Sequence, residues 1–236
     1  MFKILSKILI VPILLLSAAC VSTIKIAEET HVTPIKSGLY GEVEVGFYEN
    51  IRHSSVTVWI SDSQKRLIGK CSGVIFNSHT IATAAHCVES SKEYVEIVFS
   101  DETTLVSKGI IKRGIGSTAQ DWVLLDVDLP TNYLTRFVDI RCDKPEIGSK
   151  IFHIGSPGES TLAFMAGYVS SHDTNSSDYG TWEGVSIADI GGGPGSSGGP
   201  MFDLRGKLVG LLVAGHPISG HIYYVPTKNF TESCER

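Results

Sequence analysis

Residues 71–87 read Cys71-Ser72-Gly73-Val74-Ile75-Phe76-Asn77-Ser78-His79-Thr80-Ile81-Ala82-Thr83-Ala84-Ala85-His86-Cys87. β-Branched and aromatic residues fill Ser72–Phe76, the polar Asn77-Ser78-His79 marks a turn, and Thr80–Thr83 returns as a second strand. The pattern continues outward on both sides. Ser55–Ile60 is a strand of the same kind upstream. Tyr94–Phe99, Leu105–Val106, Gly109–Ile111 and Trp122–Val127 follow downstream. Beyond a connector near Pro130–Arg141 come Lys150–Ile154, Ala166–Ser170, Val185–Ile187, Lys207–Val213 and His221–Val225. Short strands separated by glycine turns predict an all-β protein, built as barrels or as a sandwich. A short C-terminal helix is expected after Pro226.

Composition agrees. Of 236 residues, 42% are hydrophobic and only 19% charged, with 24 glycines, which favours a turn-rich β protein over a helical bundle. Twenty basic against 25 acidic residues leave a net charge of −5. That balance carries no electrostatic footprint for nucleic acid, which is excluded as a partner.

The chain opens with Lys3 and Lys7, an apolar run Ile8–Leu16, and then Ser17-Ala18-Ala19-Cys20. As helix that run spans about 14 Å, roughly half a bilayer core of ~30 Å. It reads as a secretory signal peptide over residues 1–19 rather than a membrane span. The small residues before Cys20 resemble the lipobox of bacterial lipoproteins, although Ser17 stands where leucine is preferred. The resemblance implies lipidation of Cys20 and anchoring to a bacterial membrane. Cleavage near Ala19 as an ordinary signal peptide, giving a secreted or periplasmic protein, is the alternative. Residues 20–46 read as a tether. With Cys20 set aside, Cys71, Cys87, Cys142 and Cys234 form an even set with three possible connectivities. None has C-x-x-C spacing, so no metal site is expected, and nothing in the chain implies a cofactor.

Three stretches carry chemistry: Ala82–Cys87, Asp121-Trp122-Val123-Leu124-Leu125 and Gly195-Ser196-Ser197-Gly198-Gly199-Pro200. A serine hydroxyl is a poor nucleophile until a base takes its proton. Histidine suits that task because imidazole titrates near neutrality. A carboxylate on the other ring nitrogen fixes the tautomer and stabilises the imidazolium that forms. Acyl transfer also needs preorganised N–H donors for the developing oxyanion.

In that order and spacing the three stretches resemble the chymotrypsin-like (trypsin-fold) serine endopeptidases, over roughly residues 50–230. Thr83–Cys87 looks like the histidine motif, Asp121–Leu125 the aspartate motif, and Gly195–Pro200 the serine motif with Ser196 replacing its aspartate. The resemblance implies two six-stranded antiparallel β-barrels, at 47–130 and 131–236, the second including the C-terminal tail. It implies His86 as general base, Asp121 as its orienter and Ser197 as nucleophile, with the amides of Gly195 and Ser197 as oxyanion hole. It also implies disulfides Cys71–Cys87 and Cys142–Cys234, and a protein or peptide substrate. The substrate pocket would be lined by Gly191, Val213, Ala214, Gly215 and His216. With Gly191 at the pocket floor there is no carboxylate to attract Lys or Arg, so small or apolar side chains are expected.

The chain departs from trypsin-type members in two ways. Ser196 cannot pair with a newly cut N-terminus, and no Ile-Val-Gly-Gly activation sequence precedes the domain. Compact loops bring it closer to the bacterial heat-shock and glutamyl-endopeptidase branches. Two function classes follow. One is an exported, lipid-anchored serine endopeptidase. The other is a catalytically silent binding module on the same scaffold. Ser196 is the rival nucleophile and Asp126 or Asp128 the rival acid. The Gly193–Gly198 match to a dinucleotide-binding glycine pattern lacks the following helix that such a site needs.

Overall fold

The computed structural model describes residues 46–89, 93–172 and 184–234, all within the second of two units of the chain, Gly41–Arg236. The proposed signal peptide, Cys20 and residues 20–45 of the tether lie outside the described residues. Among the described residues no helix is long and apolar enough to cross a membrane.

A seven-residue helix, α1 (Phe47–His53), precedes the first strand, where the sequence pattern predicts none. Phe47 and Ile51, four apart, share its buried face. The Phe47 ring meets Phe152 edge-on at 4.9 Å.

Seven strands follow: β1 (Ser55–Ser61), β2 (Leu67–Asn77), β3 (Thr80–Thr83), β4 (Tyr94–Val98), β5 (Thr104–Val106), β6 (Gly109–Arg113) and β7 (Val123–Asp126). They form one antiparallel sheet ordered β5-β4-β1-β2-β3-β7-β6. Its two edge strands are consecutive in the chain, separated only by Ser107-Lys108. The Ser107 N–H reaches Val95 C=O on β4, and the Lys108 N–H reaches Asp126 C=O on β7. β5 and β6 therefore act as one bent strand that bridges the sheet's edges, and counting them together gives the expected six. The bend falls at Gly109, whose φ of +144° suits glycine.

The second half comprises β8 (Lys150–Gly155), β9 (Ala163–His172), β10 (Ser186–Asp189), β11 (Pro200–Phe202), β12 (Leu208–Gly215) and β13 (Ile222–Pro226), a closed barrel ordered β10-β13-β12-β11-β8-β9. The fold is thus the all-β double-barrel arrangement of trypsin-like proteins. In place of a C-terminal α-helix there are two single 3₁₀ turns, Thr227–Asn229 and Glu232–Cys234. A disulfide from Cys234 to Cys142 pins the second of them.

Alternation along β8 and β11, and along β12 with a register shift opposite Met201 and Phe202, divides their side chains between two cores. Ile151, Met201, Val209 and Leu212 fill the barrel with Val169, Ile190 and Tyr224. Phe152, Ile154, Phe202, Leu211 and Val213 face outward and join Val56, Val58, Ile75 and Val123 of the first sheet. Burial on both faces explains the unbroken apolar run of β12. It also fixes how the two halves meet, which positions the site.

The buried polar side chains include a histidine. His153 on β8 is fully buried, its Nδ1–H donates to Pro200 C=O at 3.0 Å, and its Nε2 has no partner among the described residues. Burial pushes its pKa down from 6.5 to about 4. The unfolded chain therefore takes up this proton first as pH falls. The stabilising contribution is complete above about pH 6.5 and is lost towards pH 4. About 3 kcal/mol is expected to disappear over that window. Urea unfolding at stepped pH should show this slope in the parent and a flatter one in His153→Gln. Equal slopes would assign the acid sensitivity to other groups.

Candidate active site

β3 and β7 pair antiparallel, with Thr83 opposite Val123. The chain leaving β3 and the chain entering β7 therefore emerge at the same end. His86 lies three residues past Thr83, in the 3₁₀ turn Ala85–Cys87, and Asp121 lies two before Val123, closing the turn Thr118–Gln120. Their side chains meet. His86 Nδ1 is 2.6 Å from Asp121 Oδ2, and the His86 backbone N–H donates to Asp121 Oδ1 at 2.9 Å. An ionised carboxylate only accepts, so Nδ1 carries the proton and Nε2 keeps a lone pair. Asp121 is mostly buried, at 18% side-chain exposure, while His86 at 45% faces the cleft. Asp126 lies on β7 itself and Asp128 pairs with Lys108, so neither rival acid contacts this histidine.

A disulfide joins Cys71 and Cys87 across β2 and the histidine turn, closing a 16-residue separation. Such a loop stabilises by roughly 3 kcal/mol in the chain-entropy account. The His86 ring lies within 4.8 Å of both sulfurs. Because the sulfurs are bonded to each other, this His/Cys grouping is not a thiolate metal site.

The serine stretch is a tight turn leading into β11. Ser196 is fully buried, and its Oγ accepts the Gly193 N–H at 3.3 Å. Ser197 is half-buried, and its hydroxyl has no hydrogen-bond partner among the described residues. Of the two serines, Ser196 is enclosed and bonded within its own turn, while Ser197 is the more exposed. Its carbonyl takes the Ser72 N–H at 2.8 Å, tying the turn to β2. Gly198 packs hard against the histidine strand: a Cβ there would lie 2.0 Å from Thr83 Oγ1 and 2.6 Å from Ala84 N.

The peptide planes of this turn are oriented by their carbonyls. Pro194 C=O accepts the Gly158 N–H and Ser196 C=O accepts the Gly199 N–H, each at 2.9 Å. A trans peptide points its N–H opposite its C=O. The N–H groups of Gly195 and Ser197 are therefore turned away from these contacts, and neither has an acceptor among the described residues. Ser196, Gly198 and Gly199 all use theirs within the protein.

A cavity of about 600 Å³ borders the pair, lined by His86, Asp121, Arg113, Gln120, Val213 and Ala214 among others. Arg113 donates to Ala85 C=O at 3.1 Å and Glu89 C=O at 3.2 Å, bracing the histidine turn. Val213, Ala214 and Gly215 run along β12. Gly191 faces Met165, whose sulfur would sit 3.3 Å from an added Cβ, and Gly192 faces Ile222 and Leu212. His216 turns its Nδ1 to the N–H groups of Ile218 and Ser219. Sequence reasoning missed Met165, Ile222, Arg113 and Ser72. Met165 lies just before the predicted Ala166–Ser170 strand and Ile222 inside the His221–Val225 one, and nothing in the sequence marked Arg113 or Ser72.

Comparison with known proteins points the same way. The chain is 27% identical over 156 residues to the probable periplasmic serine protease do/HhoA-like of Haemophilus influenzae, covering 65% of this chain and 32% of that protein. It is 25% identical over 176 residues to the pro-apoptotic serine protease NMA111 of Meyerozyma guilliermondii, covering 70% of this chain and 17% of that protein. The chain therefore spans a third or less of either relative. Among solved structures it resembles the HtrA-type protease AlgW with tripeptide at a TM-score of 0.63 and 21% identity, over 77% of this chain and 60% of that one. That likeness concerns the fold. The profile of the trypsin-like peptidase domain matches residues 71–211, more than half of the sequence, and the chain belongs to that family.

Proposed function

We propose that the chain is an exported serine endopeptidase in which Ser197 attacks a peptide carbonyl. His86 Nε2 takes the hydroxyl proton and later delivers it to the leaving amine. Asp121 holds the ring through Nδ1 and stabilises the imidazolium. The N–H groups of Gly195 and Ser197 receive the oxyanion, and water then hydrolyses the acyl-enzyme on Ser197. The observation that carries this reading is the doubly bonded Asp121–His86 pair beside a serine turn with two unused N–H groups. Met165, Ile222 and Leu212 beside Gly191 and Gly192 favour small or apolar residues at the primary pocket. The leader-like residues 1–19 and the two disulfides support an extracytoplasmic location. Lipid attachment at Cys20 rests on the lipobox-like start, and the mass of the mature N-terminus tests it.

The unbonded Ser197 hydroxyl favours the second reading, a silent binding module, and covalent capture separates the two. A fluorophosphonate incubated with the folded protein should leave one adduct on the peptide containing Ser197, detected by mass. Folded protein with no adduct would leave the binding module standing.

A further inference from the structure

On the β2 side, the turn that contains Ser197 is held at two of its carbonyls by Ser72. Ser72 is fully buried. Its N–H holds Ser197 C=O at 2.8 Å, and its hydroxyl donates to Gly195 C=O at 2.7 Å. The same oxygen accepts the Ser156 N–H at 2.8 Å. Ser156 in turn shares a 2.6 Å hydrogen bond with Thr57 on β1. One hydroxyl thus ties the oxyanion glycine to β2 and to the 156–160 loop. Lys70 holds that loop by donating to the carbonyls of Gly158 and Ser160.

We infer that Ser72 is a positioning residue for the oxyanion-binding amides. The inference rests on the endopeptidase reading of this site. Ser196 occupies the place where a carboxylate could have locked the turn through an ion pair, and among the described residues its hydroxyl reaches only the Gly193 N–H. The Gly195–Ser196 peptide is instead held at both ends, its N–H by Gly193 C=O at 2.8 Å and its C=O by Ser72. Glycine at 195, with φ of +98°, leaves this peptide easy to rotate. Without the Ser72 hydroxyl the Gly195 carbonyl loses its anchor. With only the Ser196 N–H to Gly193 C=O bond left to hold the peptide, that carbonyl can rotate towards the space that the oxyanion must occupy. A misdirected carbonyl there opposes transition-state charge while leaving the rest of the peptide-binding cleft intact. The loss therefore falls on kcat.

The test uses the full-length protein, a peptide substrate and a peptide boronate that mimics the tetrahedral intermediate. Ser72→Ala, verified as folded by circular dichroism, should lose about 10- to 100-fold in kcat, somewhat less than deletion of an oxyanion donor itself. KM should stay within about twofold, and boronate affinity should fall with kcat, because both report the same anion contacts. The profile of kcat/KM against pH should keep its shape, since His86 and Asp121 are untouched. Ser72→Thr and Ser72→Val have nearly the same shape and differ by the hydroxyl. Thr should recover most of the activity and Val should not, and this pair decides the matter if Ala fails to fold. Folded Ser72→Ala with parental kcat, a loss confined to KM, or equal activity of Thr and Val would overturn the inference. Parental protein that fails to react with a fluorophosphonate would overturn the endopeptidase reading, and this inference with it.

Discussion

Ser197→Ala is expected to fold like the parent and to lose about 10⁶-fold in peptide hydrolysis, with Asp121→Asn losing about 10⁴-fold. The two losses have different origins. The first removes the oxygen proposed to attack the peptide carbonyl. The second keeps almost everything: an asparagine carbonyl can still accept the His86 backbone N–H, as Asp121 Oδ1 does at 2.9 Å. What changes is the other contact, where a carboxylate oxygen now lies 2.6 Å from Nδ1. An amide N–H placed there is a donor, so Nδ1 must give up its proton and Nε2 must carry it. The ring then faces the serine with a proton where it needs a lone pair. Because the substrate contacts are untouched, KM should stay near the parental value while kcat falls. Steady-state kinetics on a peptide, with thermal unfolding to confirm the fold, measures both. Asp121→Asn within tenfold of the parent would mean that this carboxylate does not set the tautomer.

The parts of this arrangement that the sequence displays are those coded locally. The β2–turn–β3 stretch shows because its apolar residues and the polar break at Asn77–His79 fit a strand period. His86 and Asp121 show because each sits just beyond a recognisable strand end. What the sequence hides is long-range or conformational. β5 and β6 look like separate short strands because the link between them, Ser107-Lys108, is defined only by partners on β4 and β7. Helix α1 has no capping side chain, and its Phe47 and Ile51 gain meaning only against Phe152 and the first sheet. The expected C-terminal helix shortens to 3₁₀ turns, since eight residues after Pro226 the chain is bonded to Cys142 through Cys234. Ser72 is one small polar residue in a strand. Its partners lie 84 and 123 positions away, a separation that no local pattern encodes.

Gly198 concentrates the cost of bringing the serine turn to the histidine strand, and Gly198→Ala is expected to destabilise the protein by about 4 kcal/mol or more. Two penalties combine. The residue has φ of +79°, a left-handed conformation that costs an alanine roughly 1–2 kcal/mol. Its Cβ would also land 2.0 Å from Thr83 Oγ1, 2.4 Å from Ser72 O and 2.6 Å from Ala84 N. Thr83 cannot simply rotate away, because its hydroxyl holds Ser72 C=O at 2.6 Å, and the other two atoms are backbone. Relief requires the turn to retreat from β2 and β3. That breaks the Ser72 N–H to Ser197 C=O bond and the Gly198 N–H to Leu212 C=O bond. Activity should therefore vanish even under conditions where some protein remains folded. Gly220→Ala supplies the comparison. Its φ of +71° imposes a similar backbone penalty, but nothing lies within 4 Å of the added carbon, so only about 1–2 kcal/mol is expected. Urea midpoints for the two variants separate conformational strain from steric overlap. Equal losses would show that the close approach of the serine turn to Thr83 and Ala84 carries no energetic weight of its own.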